Sequence, residues 1–125
     1  MNGLRGDLNQ NSIIDNFIKK KNNLSGLQCI FCLPYTILGI ALTNRKLKNI
    51  KFGAQDISNQ LSDFGPFTGQ ISSKMLQDLK CKFTIVGHSE KRSNGDNDAD
   101  ISQKIQMASK NHIKVILWVG EGWND

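Results

Sequence analysis

The stretch Gly87-His88-Ser89-Glu90-Lys91-Arg92 places an imidazole, a hydroxyl, a carboxylate and two cations in quick succession. Histidine is the side chain most easily tuned near neutral pH. At a strand end it can act as acid, base or hydrogen-bond donor to a carbonyl. Gly87 lets the backbone turn and lets a ligand come close. Phe83 to Val86, just upstream, reads as a short buried strand of β-branched and aromatic residues. In α/β barrels the residue past the C-terminal end of such a strand is where chemistry is placed. The same pattern also fits a surface-loop histidine beside a solvated cluster of Glu90, Lys91 and Arg92. His112, in the helix-to-strand connection Lys110-Asn111-His112-Ile113, reads as structural.

The elements that must position these residues alternate between helix and apolar strand. Ser12 is placed to cap a helix with Ile13, Ile14, Phe17 and Ile18 on its apolar face, ending at the cations Lys19-Lys20-Lys21. Asn22 to Gly26 reads as a turn. Gln28 to Leu33 is a near-continuous apolar run, as in a parallel strand buried on both faces. Pro34 stops it. Tyr35 to Lys46 reads as a helix with Leu38, Ala41 and Leu42 inward, and Ile50 to Ala54 as a strand. Asp56 to Gly69 is irregular. Ser72 to Leu79 reads as a helix carrying Met75, Leu76 and Leu79 on one side. Asp98 is expected to cap a helix running to Lys110, with Ile101, Ile105 and Ala108 at helical spacing. Val115 to Val119 is the last strand, followed by Gly120-Glu121-Gly122. This alternation predicts βαβ units and a parallel sheet in a single domain over residues 1–125.

The chain has 125 residues, 38% of them hydrophobic and 22% charged, which fits a soluble globular protein. No apolar run approaches the ~20 residues that span a membrane, and the N-terminus carries no signal-peptide core; a cytoplasmic location is expected. The net charge of +5 raises nucleic acid as a partner. The lysines read as scattered along the chain, which argues against it. Lys, Asn and Ile number 13, 13 and 14 against 3 Arg, a bias toward A- and T-rich codons that accounts for the basicity. Of the three cysteines, Cys29 and Cys32 have redox or zinc spacing. Within a strand, residues three apart point to opposite faces, so two small buried reduced thiols are expected instead.

Several segments, in order, resemble triosephosphate isomerases. Gly87-His88-Ser89-Glu90-Lys91-Arg92 resembles that family's G-H-S-E-R-R, and Met1-Asn2-Gly3-Leu4 its M-N-G. Phe52-Gly53-Ala54-Gln55-Asp56 resembles G-A-Q-D or G-A-Q-N. Gly65-Pro66-Phe67-Thr68-Gly69-Gln70-Ile71-Ser72 resembles G-A-F-T-G-E-I-S, Met75 to Cys81 resembles M-L-K-D-L-G-C, and Val115 to Glu121 resembles P-I-L-C-V-G-E. The resemblance implies a partial (β/α)8 barrel, about strands two to five with their helices. A full barrel takes roughly 250 residues.

The family interconverts dihydroxyacetone phosphate and glyceraldehyde 3-phosphate through an enediolate, as homodimers and without a cofactor. The resemblance makes His88 the neutral electrophile that polarises the carbonyl. It makes Glu90 the carboxylate that supports the site by pairing with an active-site lysine. It makes Phe67, Thr68 and Gly69 the loop that docks into a partner subunit. The N-x-K that precedes M-N-G, the base glutamate and the later phosphate loops have no counterpart in these residues. Negligible isomerase activity is therefore expected of the lone chain. A half-barrel with two open edges is expected to aggregate, self-associate or pair with a complementary C-terminal half. The alternative is a binding or assembly module. Three departures stand out: Trp118 for a small residue, expected to overpack a complete barrel, Gln70 for glutamate, and a shortened Ser93-Asn94-Gly95-Asp96 turn.

Overall fold

A computed structural model describes residues 2–9, 12–20 and 26–120. Met1, Lys21, most of the Asn22–Gly26 turn and Glu121-Gly122 lie outside the described residues. Four strands, β1 (Ile30–Leu33), β2 (Lys51–Ala54), β3 (Phe83–Val86) and β4 (Lys114–Leu117), form one sheet. Its order is β1-β2-β3-β4, every neighbouring pair parallel. Five helices join and cover them: α1 (Ile13–Lys20), α2 (Tyr35–Thr43), α3 (Ser73–Asp78), α4 (Ser89–Ser93) and α5 (Asp98–Lys110). Strands joined in order by helical crossovers, all parallel, make a segment of a β/α barrel wall.

The register sorts the strand residues onto two faces. Leu33, Phe52, Ala54, Thr84 and Val86 fall on one face and are buried. They pack with Ile14 of α1, Ile37, Leu38 and Ala41 of α2, Leu76 of α3 and Ile101 and Ala108 of α5. Truncating one of the buried leucines or isoleucines to alanine costs ~2–5 kcal/mol. Ile30, Cys32, Phe83, Ile85 and Ile116 fall on the other face and are only half-buried. That face corresponds to the barrel interior. A Cβ on Gly53 would meet Phe83 Cβ at 3.0 Å and Cys32 Sγ at 3.1 Å, so this layer is closed by the absence of a side chain.

Local chemistry sets the helix starts. Ser12 Oγ accepts the Asp15 N–H at 3.1 Å, and Ser72 Oγ the Met75 N–H at 3.2 Å. On α5 the cap is Asn97 rather than Asp98. Asn97 Oδ1 accepts the Asp100 N–H, and the Asp100 carboxylate accepts the Asn97 N–H, both at 3.0 Å. That reciprocal pair satisfies two orphan donors at once, which Asp98 as cap would not.

Three further expectations are corrected. Met75 and Leu79 are exposed, and α3 turns Ser73 and Leu76 inward instead. Cys29 and Cys32 are half-buried rather than buried; only Cys81 is fully enclosed. Five of the 13 lysines are less scattered than the sequence suggests: Lys48, Lys51, Lys80, Lys82 and Lys114 line one cavity at the N-terminal end of the sheet. No helix among the described residues is long and apolar enough to cross a membrane.

Candidate functional site

Strand β3 ends at Val86, and the backbone turns at Gly87 with φ +80°. A Cβ there would lie 2.9 Å from the Trp118 carbonyl oxygen. Glycine is thus required twice, by conformation and by space. The Trp118 N–H donates to the Val86 carbonyl at 2.9 Å, so the neighbouring strand end closes over the turn. Arg92 Nε donates to the Gly87 carbonyl at 3.1 Å, and its Nη1 to Asp98 at 2.8 Å. One guanidinium thus fastens the turn to the start of α5, and the shortened 93–96 turn leaves α4 anchored.

His88 is the N-cap of α4, and its Nδ1 accepts the Glu90 N–H at 3.3 Å. A nitrogen that accepts carries no proton, so in this arrangement the ring proton sits on Nε2. Nε2–H then has no hydrogen-bond partner among the described residues and can donate to an oxygen in the adjoining cavity. The imidazole is 28% exposed and packs on the Trp118 indole, ring centroids 4.5 Å apart at 49°. Trp118 itself is half exposed. In this sheet segment the indole lies beside the histidine.

The Glu90 carboxylate stands 4.0 Å from the same Nδ1 and its side chain is 83% exposed. That is beyond hydrogen-bond range. Glu90 reaches His88 through its backbone amide, and its carboxylate pairs with no lysine or arginine among the described residues.

The histidine opens into a cavity of about 420 Å³ walled by Pro34, Tyr35, Gln55, Asp56 and Lys91. Gln55 Nε2 is held by the Cys32 carbonyl at 3.2 Å. Behind it lies a charge cluster that the sequence analysis missed. Lys104 Nζ donates to Asp56 Oδ1 at 2.8 Å and to the Asp96 carboxylate. Lys91 reaches Asp56 Oδ2 at 3.2 Å, and the Tyr35 hydroxyl donates to the Asp56 carbonyl. The Lys104 side chain is 4% exposed. Burial alone would pull its pKa down, but the Asp56 and Asp96 carboxylates hold it above the ordinary lysine value. The cluster ties the loop after β2 to α4, which carries His88, and to α5. A signal existed: Lys104 lies three residues after Ile101 and four before Ala108, on the inward stripe. A lysine there must find carboxylates.

Phe67, Thr68 and Gly69 lie on the irregular segment between β2 and α3, away from the imidazole's own cavity. Phe67 is half-buried under Gly65, and Thr68 and Gly69 are exposed, the latter at φ +81°. Gly69 and Gln70 wall a second cavity of about 280 Å³ that shares Tyr35, Asp56 and Lys91 with the first. Ser58 Oγ donates to Gln70 Oε1, a bond a glutamate could accept equally well. Among the described residues no His, Cys, Asp and Glu cluster could hold a metal ion. Burial raises the Cys32 and Cys81 thiols above the ordinary value, the former with help from Cys81.

Comparison with known proteins agrees with this geometry. The family model described as Triosephosphate isomerase matches residues 1–125. The triosephosphate isomerase of Thiobacillus denitrificans is 35% identical over 94% of this chain and 46% of its own length. That of Moorella thermoacetica is 37% identical over 75% of this chain and 37% of its own. The crystal structure of triosephosphate isomerase from Bartonella henselae superposes with a TM-score of 0.71 at 29% identity. It aligns with 91% of this chain, which covers 48% of that one. The chain thus spans less than half the length of these relatives.

Proposed function

The chain belongs to the triosephosphate isomerase family, and from that premise we propose that it supplies the carbonyl-polarising side of a triose phosphate isomerisation site. Residues 1–125 act as one unit, part of a single barrel. His88 is the electrophile: its Nε2–H donates to the substrate carbonyl as an enediolate forms, where preorganised donors are worth most. Glu90 supports it by fixing the imidazole through its backbone amide. The observation that carries this reading is the Nδ1 acceptor bond at 3.3 Å, which leaves Nε2 as the donor. Phe67, Thr68 and Gly69 dock against a second subunit, or a complementary half, in the cytoplasm.

A carbonyl-polarising group without a base moves no proton. The 125 residues assayed alone are therefore expected to be near background. The endogenous product is first sized by immunoblot, against 14.0 kDa for this chain. That product is then assayed as wild type and as His88→Gln. The expected result is kcat lower by about 10²–10⁴ with KM little changed. An unchanged kcat would overturn the assignment of His88.

The second reading, a binding or assembly module, is favoured by one observation. Leu61 and Phe64, on the same loop as Phe67, are 55% and 71% exposed. A loop made to dock would present such residues. A chain that stays monomeric in gel filtration at high concentration would dismiss that reading.

A further inference from the structure

The sheet has a second built end. Opposite His88, at the N-terminal ends of the strands, a cavity of about 390 Å³ is lined by Lys48, Lys51, Lys80, Lys82, Lys114 and His112. Lys51 opens β2, Lys114 opens β4 and Lys82 immediately precedes β3. A strand of four residues separates this end from the histidine by ~13 Å. No carboxylate lines the cavity. None of its five lysines makes an ion pair among the described residues, whereas Lys19, Lys91, Lys104 and Lys110 each do. Its floor is apolar, with Leu47 and Phe52 buried. A low-dielectric wall strengthens the field of the cations above it.

The backbone adds an independent observation. Among the described residues only two non-glycine residues have positive φ, Lys80 at 61° and His112 at 57°. Both line this cavity. Each follows a helix end and leads into a strand, the place where glycine or asparagine normally takes the left-handed conformation. The family pattern M-L-K-D-L-G-C carries glycine where this chain has Lys80. The Cys81 N–H to Leu76 carbonyl and Ile113 N–H to Ala108 carbonyl bonds, both 2.9 Å, close these helix ends, and at Lys80 a long cation occupies a left-handed position where glycine would relieve the backbone.

We propose that this cavity binds a small multivalent phosphate anion of the di- or triphosphate class. Five exposed lysines share this end of the sheet with no carboxylate beside them, and a compact anion with several charges can meet more than one of them at once. A single phosphate engages too few. A hollow of about 390 Å³ suits a small anion better than an extended strand.

The test is calorimetric titration of the purified full chain with tripolyphosphate and with orthophosphate, at 50 mM and 300 mM salt. Circular dichroism melting runs alongside. Tripolyphosphate is expected to saturate at one site per chain, at least 10-fold tighter than orthophosphate and weakened by salt. Lys80→Gly is expected to weaken binding at least 10-fold while raising Tm, because it relieves the backbone. Lys82→Gln, free of any strain, should weaken binding without moving Tm. Lys110→Gln, outside the cavity, should leave binding unchanged. The absence of saturable binding at 50 mM salt would overturn the proposal, as would wild-type affinity in both Lys80→Gly and Lys82→Gln. So would affinity for single-stranded oligonucleotides that keeps rising with length, which would make the patch a nucleic-acid surface.

Discussion

Replacing Lys104 by Met tests whether the buried charge cluster holds the site-bearing loops together. The substitution keeps most of the stem volume and removes only the ammonium. The Lys104 side chain is 4% exposed, and its partners Asp56 and Asp96 are 18% and 17% exposed. Removing one member of a buried pair costs ~3–5 kcal/mol, because the other charge is left uncompensated. Asp56 keeps Lys91 at 3.2 Å, so the low end, about 3 kcal/mol, applies. With a urea m-value of about 2 kcal/mol/M, the unfolding midpoint falls by about 1.5 M. Against a total stability of ~5–15 kcal/mol that is a large share. Adding Asp96→Asn should recover part of the loss, since it removes the orphaned charge. The pH dependence gives a second readout. The Lys104 pKa is raised in the fold. Its stabilisation is therefore complete below the unfolded lysine value of ~10.4 and is lost as pH rises through the folded value. Wild type should lose stability in that alkaline window and Lys104→Met should not. Circular dichroism in urea, repeated across pH, measures both. A loss under about 1 kcal/mol with an unchanged alkaline limb would place the cluster among surface pairs and refute the reasoning.

Gly87→Ala should destabilise by about 2 kcal/mol or more, combining a left-handed non-glycine residue with a Cβ 2.9 Å from the Trp118 carbonyl oxygen; an unchanged urea midpoint would contradict this. In a Trp123→Phe background, His88→Ala should red-shift Trp118 emission, because the indole loses the ring packed 4.5 Å away. Asp100→Asn should flatten acid unfolding. The Asn97 N–H and then Asn59 hold its pKa below the ordinary carboxylate value, so its stabilisation is present above pH ~3.9 and lost as pH falls through the folded value. A thiol reagent at neutral pH should label Cys32 and Cys81 slowly in the folded chain and quickly in urea, since burial raises both thiols.

The strands and the parallel sheet were legible because buried parallel strands are short apolar runs punctuated by helical periodicity. The bounds of β3 agree with the reading to the residue. Where the reading failed, polar groups had found specific partners. Beside Leu76, α3 turns Ser73 inward, whose hydroxyl donates to the Met107 carbonyl at 2.9 Å and accepts from Asn111 at 2.8 Å. Hydrophobic periodicity cannot show a serine satisfied inside, so it grouped Met75 and Leu79 with Leu76, of which only Leu76 is buried. The choice of Asn97 over Asp98 as cap rests on the carboxylate three residues on, a pairing read only when both residues are considered together. Lys104 broke the apolar stripe of α5, and that break was the visible trace of the cluster.

The lysine cavity was hidden for a different reason. Positions 48, 51, 80, 82 and 114 look scattered in one dimension. In an all-parallel sheet, however, every strand begins at the same end. Residues that recur just before or at strand starts therefore gather on one surface, however far apart in sequence. The same logic placed His88, which follows a strand end, at the opposite pole. Strand starts and strand ends are thus two separate lists in such a chain. Barrel enzymes place their chemistry at the second. The first carries five lysines that line one cavity with no carboxylate among the lining residues.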